Sequence, residues 1–194
     1  MFTTKLSPRN LLQYFDIAYL LKFLLLFGGI YFFNLAYFGL TSPYGSYHMP
    51  FLENNLNYVS WLKTSILYTS NEISHLIGID SYVRDFQTLK TVNGTGLGIA
   101  EACLGFGVLS FWMAYIIADN NNWKRKLLWC LGGMITIWLI NCMRVAFMLL
   151  AIEKNWELVI TSDYHTAFNV IAYAFVFLQI FIYNKFATAK SKPS

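Results

Sequence analysis

The chain has 194 residues, of which 57% are hydrophobic, 19% aromatic and only 12% charged. Soluble domains carry about twice that charge, so the composition excludes an ordinary water-soluble protein and points to one that lies in a bilayer. The net charge of +4 is small, which gives no support to nucleic-acid binding and makes the placement of the basic residues more informative than their number.

The first apolar run covers residues 17–40. About 20 apolar residues span the ~30 Å hydrocarbon core, so this run is long enough to cross. It follows Lys5 and Arg9 like a signal peptide, but it is too long and lacks an A-x-A exit, so we read it as a retained anchor. Lys22 near its inner end can snorkel to the interface. Residues 55–79 come next, with Val59, Leu62, Ile66, Ile73, Leu76 and Ile77 on one helical stripe and Lys63, Asn71, Glu72 and His75 mostly off it. That pattern predicts an outer amphipathic helix at the interface. A fifth span there would put one terminus outside, against the charge rule. Residues 82–101 read as extended, with Val92-Asn93-Gly94-Thr95 as a two-residue hairpin turn and Leu97 and Ile99 alternating after it.

Three further apolar runs follow, at 103–118, 127–152 and 165–184; the first of them is short, at about 16 residues. The loop between the first two ends in Trp123-Lys124-Arg125-Lys126, and the C-terminus carries Lys185, Lys190 and Lys192. By the positive-inside rule both face the cytoplasm, as does the N-terminus. Four spans with both ends inside agree by parity, leaving 41–102 and 153–164 outside. The expected architecture is therefore an all-α polytopic membrane protein, with about four transmembrane helices, an outer amphipathic helix and a short β-hairpin. It forms one membrane-embedded domain over 1–194, with an anchor helix and outer loop in 1–54 and a motif-bearing core in 55–185. The expected location is the cell membrane.

Ionisable groups inside membrane spans are costly and are functional candidates by default. Cys103, Arg144 and His165 stand out. Helix rise puts Cys103 about 24 Å above the cytoplasmic loop, Arg144 about 26 Å above the start of its span, and His165 about 30 Å above the inner end of the last. Three helices thus bring a thiol, a guanidinium and an imidazole to one level, in the outer leaflet. A thiol attacks an amide as thiolate, which a helix N-terminus and a nearby cation both favour. Gly105 and Gly107 leave backbone N–H groups open beside Cys103 for an oxyanion. His165 can take the thiol proton and return it to the leaving amine. Arg144 can hold a substrate carbonyl or carboxylate, and Asn141, one turn earlier, can orient it. Glu101 and Asp163 are either solvated or orient His165.

Each of these residues has a plainer reading. A lone Cys in an apolar helix is usually a small hydrophobe, and Cys130 and Cys142, in mid-helix, fit that description. A His near an interface is often a polar tip, and an Arg two turns inside can snorkel outward. Trp112, Trp129 and Trp138 read as packing or belt residues. No CxxC pair, Cys/His zinc spacing or nucleotide motif is present, so no metal or cofactor is expected.

Glu101-Ala102-Cys103-Leu104-Gly105-Phe106-Gly107 resembles the E-x-C-[SNL]-G-[IVLF] block of exosortases and archaeosortases. Asn141-Cys142-Met143-Arg144 resembles their N-x-x-R block, and Asp163-Tyr164-His165 their His block, in the same order and setting. The resemblance covers about residues 55–185 and implies a membrane-embedded cysteine transpeptidase or protease. It implies Cys103 as nucleophile, Arg144 as catalytic or transition-state group and His165 as acid/base. The implied partners are membrane-anchored proteins with a C-terminal sorting tail made of a short motif, one transmembrane helix and a basic end. The chain departs from larger members in having about four spans where many have eight, and Leu104 where Ser or Asn is common. A non-catalytic membrane scaffold for cell-envelope export is the alternative. A transporter fits poorly, because polar groups occupy only the outer half of the spans.

Overall fold

The computed structural model describes residues 17–42, 47–99, 101–156 and 164–188, without the side chains of 101, 102, 164, 165, 187 and 188. In chain order the elements are α1 (Ile17–Thr41), α2 (Pro50–Asn55), α3 (Tyr58–Leu76), β1 (Ser81–Arg84), β2 (Thr88–Thr91), β3 (Gly96–Gly98), a 3₁₀ turn (Glu101–Leu104), α4 (Phe106–Ala118), α5 (Trp123–Glu153) and α6 (Tyr164–Thr188). Three helices are long and apolar enough to cross a membrane, over Ile17–Thr41, Trp123–Glu153 and Thr166–Phe186, and α4 is a shorter apolar helix.

The short α4 has a local cause. Gly105 sits at its N-cap with φ +76°, a left-handed conformation that ends one helical path and starts another. The α-helix therefore begins at Phe106, three residues later than the sequence predicts, and Cys103 lies in the 3₁₀ turn above it. Thirteen helical residues rise only about 20 Å, and the 3₁₀ turn adds roughly 8 Å. Non-helical backbone at such depth is tolerated where protein covers it, and Cys103 and Leu104 are each 2% exposed.

Helix α4 packs antiparallel to α1. Lys22 Nζ donates to the Ala118 carbonyl at 3.1 Å near one end, and Asn34 Nδ2 donates to Ser110 Oγ at 3.1 Å further up. Helix α5 begins where Asn122 Oδ1 accepts from the Lys124 N–H, and its 31 residues reach about 46 Å, well past the hydrocarbon. Its C-terminal end is tied to the sheet, since Glu153 accepts from Thr91 Oγ1 at 2.9 Å and from Asn93 Nδ2 at 2.6 Å.

The amphipathic helix forms as predicted by its stripe, but it does not lie across the helix ends. Trp138 Nε1 donates to Ser65 Oγ at 3.0 Å, and Ser70 Oγ donates to the Cys142 carbonyl at 3.0 Å. Contacts advance in the same direction along both helices, so α3 stands beside the C-terminal half of α5. Its inward side is Val59, Ile66, Leu67, Ser70 and Ser74, while Leu76 from the expected stripe is exposed. The hydrophobic stripe meets a protein face, and the serines satisfy the polar groups that stripe contains.

The hairpin is also present, with an added strand. Residues β1, β2 and β3 form one antiparallel sheet in that order. The turn is not the expected two-residue type. Leu89 pairs with Leu97 and Lys90 with Gly96, the Thr91 N–H reaches the Thr95 carbonyl, the Gly94 N–H reaches the Thr91 carbonyl, and Gly94 has φ +97°. That is a three-residue loop, a turn followed by a left-handed glycine. Leu89, Leu97 and Ile99 are buried and join Cys103, Leu104, Cys142, Val145 and Met148 in one core beside the sheet.

A second core lies toward the opposite end. Trp112, Ile116, Ile137, Val176 and Tyr183 fill it. Gly133 makes it possible: a Cβ there would come within 2.1 Å of the Trp112 indole nitrogen and 2.3 Å of the Gln179 amide.

Candidate functional site

The 3₁₀ turn delivers Cys103 to the face of α5. Asn141 Nδ2 donates to the Cys103 carbonyl at 2.5 Å, so the turn is anchored to the helix that carries Arg144, one turn further on. The Cys103 side chain itself is buried in the core beside the sheet. Asn141 is buried as well, and its amide lies 3.7 Å from where a Cβ on Gly105 would sit.

Arg144 is half-buried. Its Nη1 donates to Asn169 Oδ1 on α6 at 2.6 Å, while its Nε is buried with no hydrogen-bond partner among the described residues. An unsatisfied buried donor costs about 1–3 kcal/mol, more when charged, and such cost is often found where a ligand completes the bonding. Asn169 was not foreseen. The signal was present, since Asn169 follows His165 by four residues and therefore shares its face of α6.

His165 lies in the first turn of α6; its side chain and that of Glu101 lie outside the described residues, as does Asp163 altogether. The structure thus joins the Cys103 turn, Asn141, Arg144 and the α6 face below His165. Cys130 and Cys142 sit within α5, and the three cysteines are free thiols.

Gly105, Asn141 and Arg144 form the polar edge of a cavity of about 840 Å³. The first N–H groups of α4 meet it there, and no side chain caps them. Such N–H groups and the positive end of the helix dipole favour negative charge. Below that edge the walls are apolar, with Phe27 and Tyr31 from α1, Ile137 from α5 and Val176 from α6. No group of three or more metal-ligating side chains occurs among the described residues.

The Asn141 contact makes a specific prediction. Asn141→Leu removes the bond that fixes the Cys103 turn and leaves a buried carbonyl unpaired, at about 1–3 kcal/mol. Gly105→Ala forces a left-handed conformation on a residue with a Cβ, at about 1–2 kcal/mol. Both variants are expected to insert, to melt at lower temperature than wild type, and to lose activity more than stability. Unchanged activity of Asn141→Leu would show that the turn needs no such anchor.

The description "transmembrane exosortase" belongs to the family model that matches residues 2–182 of this chain. No curated protein and no solved structure matches it.

Proposed function

From the premise that this chain belongs to the transmembrane exosortase family, a multi-pass membrane family with a transpeptidase-type role in sorting, we propose that it is a cysteine transpeptidase. It cuts the C-terminal sorting tail of exported, membrane-anchored proteins. The observation that carries this reading is the polar edge of the cavity. There the start of α4 and the Arg144 side chain line an apolar basin, and Asn141, on the same edge, ties down the neighbouring turn whose Cys103 side chain is buried behind it.

The proposed chemistry assigns each group a step. The Cys103 thiol gives its proton to His165 and attacks the scissile carbonyl. The oxyanion forms against the N–H groups of Gly105 to Val108 and the Arg144 edge. Collapse breaks the peptide bond, His165 protonates the leaving amine of the tail, and the rest of the substrate stays on Cys103 as a thioester. An amine or water then releases it. The thiol is buried in this structure, so attack requires substrate to reach it past the side chains that cover it. The test is a gel shift of a tailed substrate as its helix is removed, which must depend on Cys103.

The same reading sets an orientation. With Lys124, Arg125 and Lys126 inside, the loop between α4 and α5 faces the cytoplasm, and so do both termini. The sheet and the reactive groups then face outward. A single introduced cysteine at Asn93 is expected to react with an impermeant maleimide added outside, and one at Asn121 only after the membrane is opened. Labelling of the Asn121 site from outside would reverse the orientation.

A further inference from the structure

Strand β3 is an edge, and its open side belongs to two glycines. The sheet order β1-β2-β3 leaves β3 with a paired strand on one side only among the described residues. The Ile99 N–H reaches the Gln87 carbonyl, and the Thr91 N–H reaches the Thr95 carbonyl. In an antiparallel ladder, residues opposite each other alternate between bonded and non-bonded pairs. The Lys90–Gly96 and Thr88–Gly98 pairs are therefore the non-bonded ones, and Gly96 and Gly98 turn their N–H and C=O groups away from β2. Both glycines are exposed, while Leu97 and Ile99 are buried.

The two edges of the sheet differ. Proteins blunt an exposed strand edge with charge or with a cover. Strand β1 ends in Arg84, which forms an exposed ion pair with Asp85 at 3.1 Å. Strand β3 is Gly96-Leu97-Gly98, without charge, and the two residues whose main chain faces out have no side chain. Glycine in a strand marks a place where another backbone can come close. At Gly98 a Cβ would meet nothing within 4 Å, so the protein's own packing does not call for glycine there. The strand also leads straight to the candidate site. β3, the 3₁₀ turn bearing Cys103 and α4 follow one another in the chain, and the steps from Gly98 to Cys103 reach at most about 17 Å.

We propose that β3 holds the substrate by its main chain: the extended segment just before the scissile bond pairs with β3 as a fourth strand, bonded to the N–H and C=O groups of Gly96 and Gly98. This rests on the proposed sorting function for the identity of the occupant, a membrane-anchored polypeptide. The direction of the added strand follows from the fold. β3 runs toward α4, and a substrate with its body outside and its helix in the bilayer runs the same way, so the pairing is parallel. It ends within about five residues of the bond that is cut, the reach from Gly98 to Cys103. Because main-chain groups make the contact, it accepts varied side chains.

The test uses full-length protein carrying Cys103→Ala in phosphatidylcholine vesicles, so that docking is read without cleavage. The probe is a synthetic polypeptide with an outer segment of alternating Val and Thr, a Leu/Ala helix of about 20 residues and a lysine end. A diazirine-bearing leucine sits in the middle of the outer segment. Its cross-links are expected on β3 about tenfold or more above those on β1, the other edge of the same sheet. A probe N-methylated throughout its outer segment lacks the N–H donors and leaves the protein untouched; it should lose that excess. Gly98→Pro removes an outward N–H but no bond to β2, and it should lose the excess relative to Gly98→Ala, which keeps the N–H. Equal cross-linking of both edges, no cross-link to β3 from the unmodified probe, or full cross-linking by the N-methylated probe would overturn the proposal. Docking that behaves as expected, in a protein whose wild-type form cuts no tailed substrate, would instead count against the cysteine chemistry alone.

Discussion

Cys103→Ala is expected to abolish removal of a substrate's C-terminal helix, while the protein still inserts and reaches normal abundance. Without the nucleophile no thioester forms, and loss of one member of such a catalytic unit costs about 10⁴-fold or more, below what a gel shift detects. His165→Ala should fail for the paired reason, since the leaving amine then departs without a proton donor. The other cysteines supply the contrast. Cys142 is fully buried against α3 and Cys130 is half-buried within α5, and neither lies at a helix start. Alanine at either position should keep the enzyme active with at most some loss of packing. Full processing by the Cys103→Ala protein would refute the enzyme reading and leave a membrane scaffold in its place.

Arg144→Lys is expected to lose at least about a hundredfold in rate, the cost of one oxyanion donor, although charge is retained. The guanidinium is used on two edges. Nη1 is held by Asn169 Oδ1 at 2.6 Å, which fixes the plane, and Nε, without a partner among the described residues, is the edge the proposed reaction would use on the substrate. A lysine is a single point donor and cannot serve both. Asn169→Leu tests the division of labour. It should lower kcat with little change in KM, because the plane loses its hold while the charge remains. If Arg144→Lys works at the wild-type rate, the planar fork has no part in the reaction.

The apolar runs, basic loops and stripe of α3 were legible because each is a periodic or compositional signal confined to one segment. Helix rise alone also placed Arg144 near the level of Cys103, and the contact of Asn141 with the Cys103 carbonyl is the kind of juxtaposition such counting anticipates. Where sequence reading stopped is equally local in cause. Gly105 looked like open backbone beside a thiol, whereas its left-handed φ moves the helix start to Phe106 and turns Cys103 into a residue of a 3₁₀ turn. The hairpin signal at Asn93-Gly94 fixed the turn's place but not its length, since a three-residue loop uses the same glycine.

The sequence by itself determined that this chain is a multi-pass membrane protein, which segments are long apolar runs, and which few polar residues the bilayer would not tolerate without a reason. Those properties follow from transfer free energies summed along a helix, and a helix is a local structure. Only the tertiary structure decided that α3 stands against α5, that Asn169 holds Arg144, that the Cys103 side chain is buried, and that an apolar cavity opens beside the polar edge. Each of these depends on which faces of separate helices meet. Packing between α-helices is set by side-chain shape across residues 25–96 positions apart, and no periodicity within one segment carries that information.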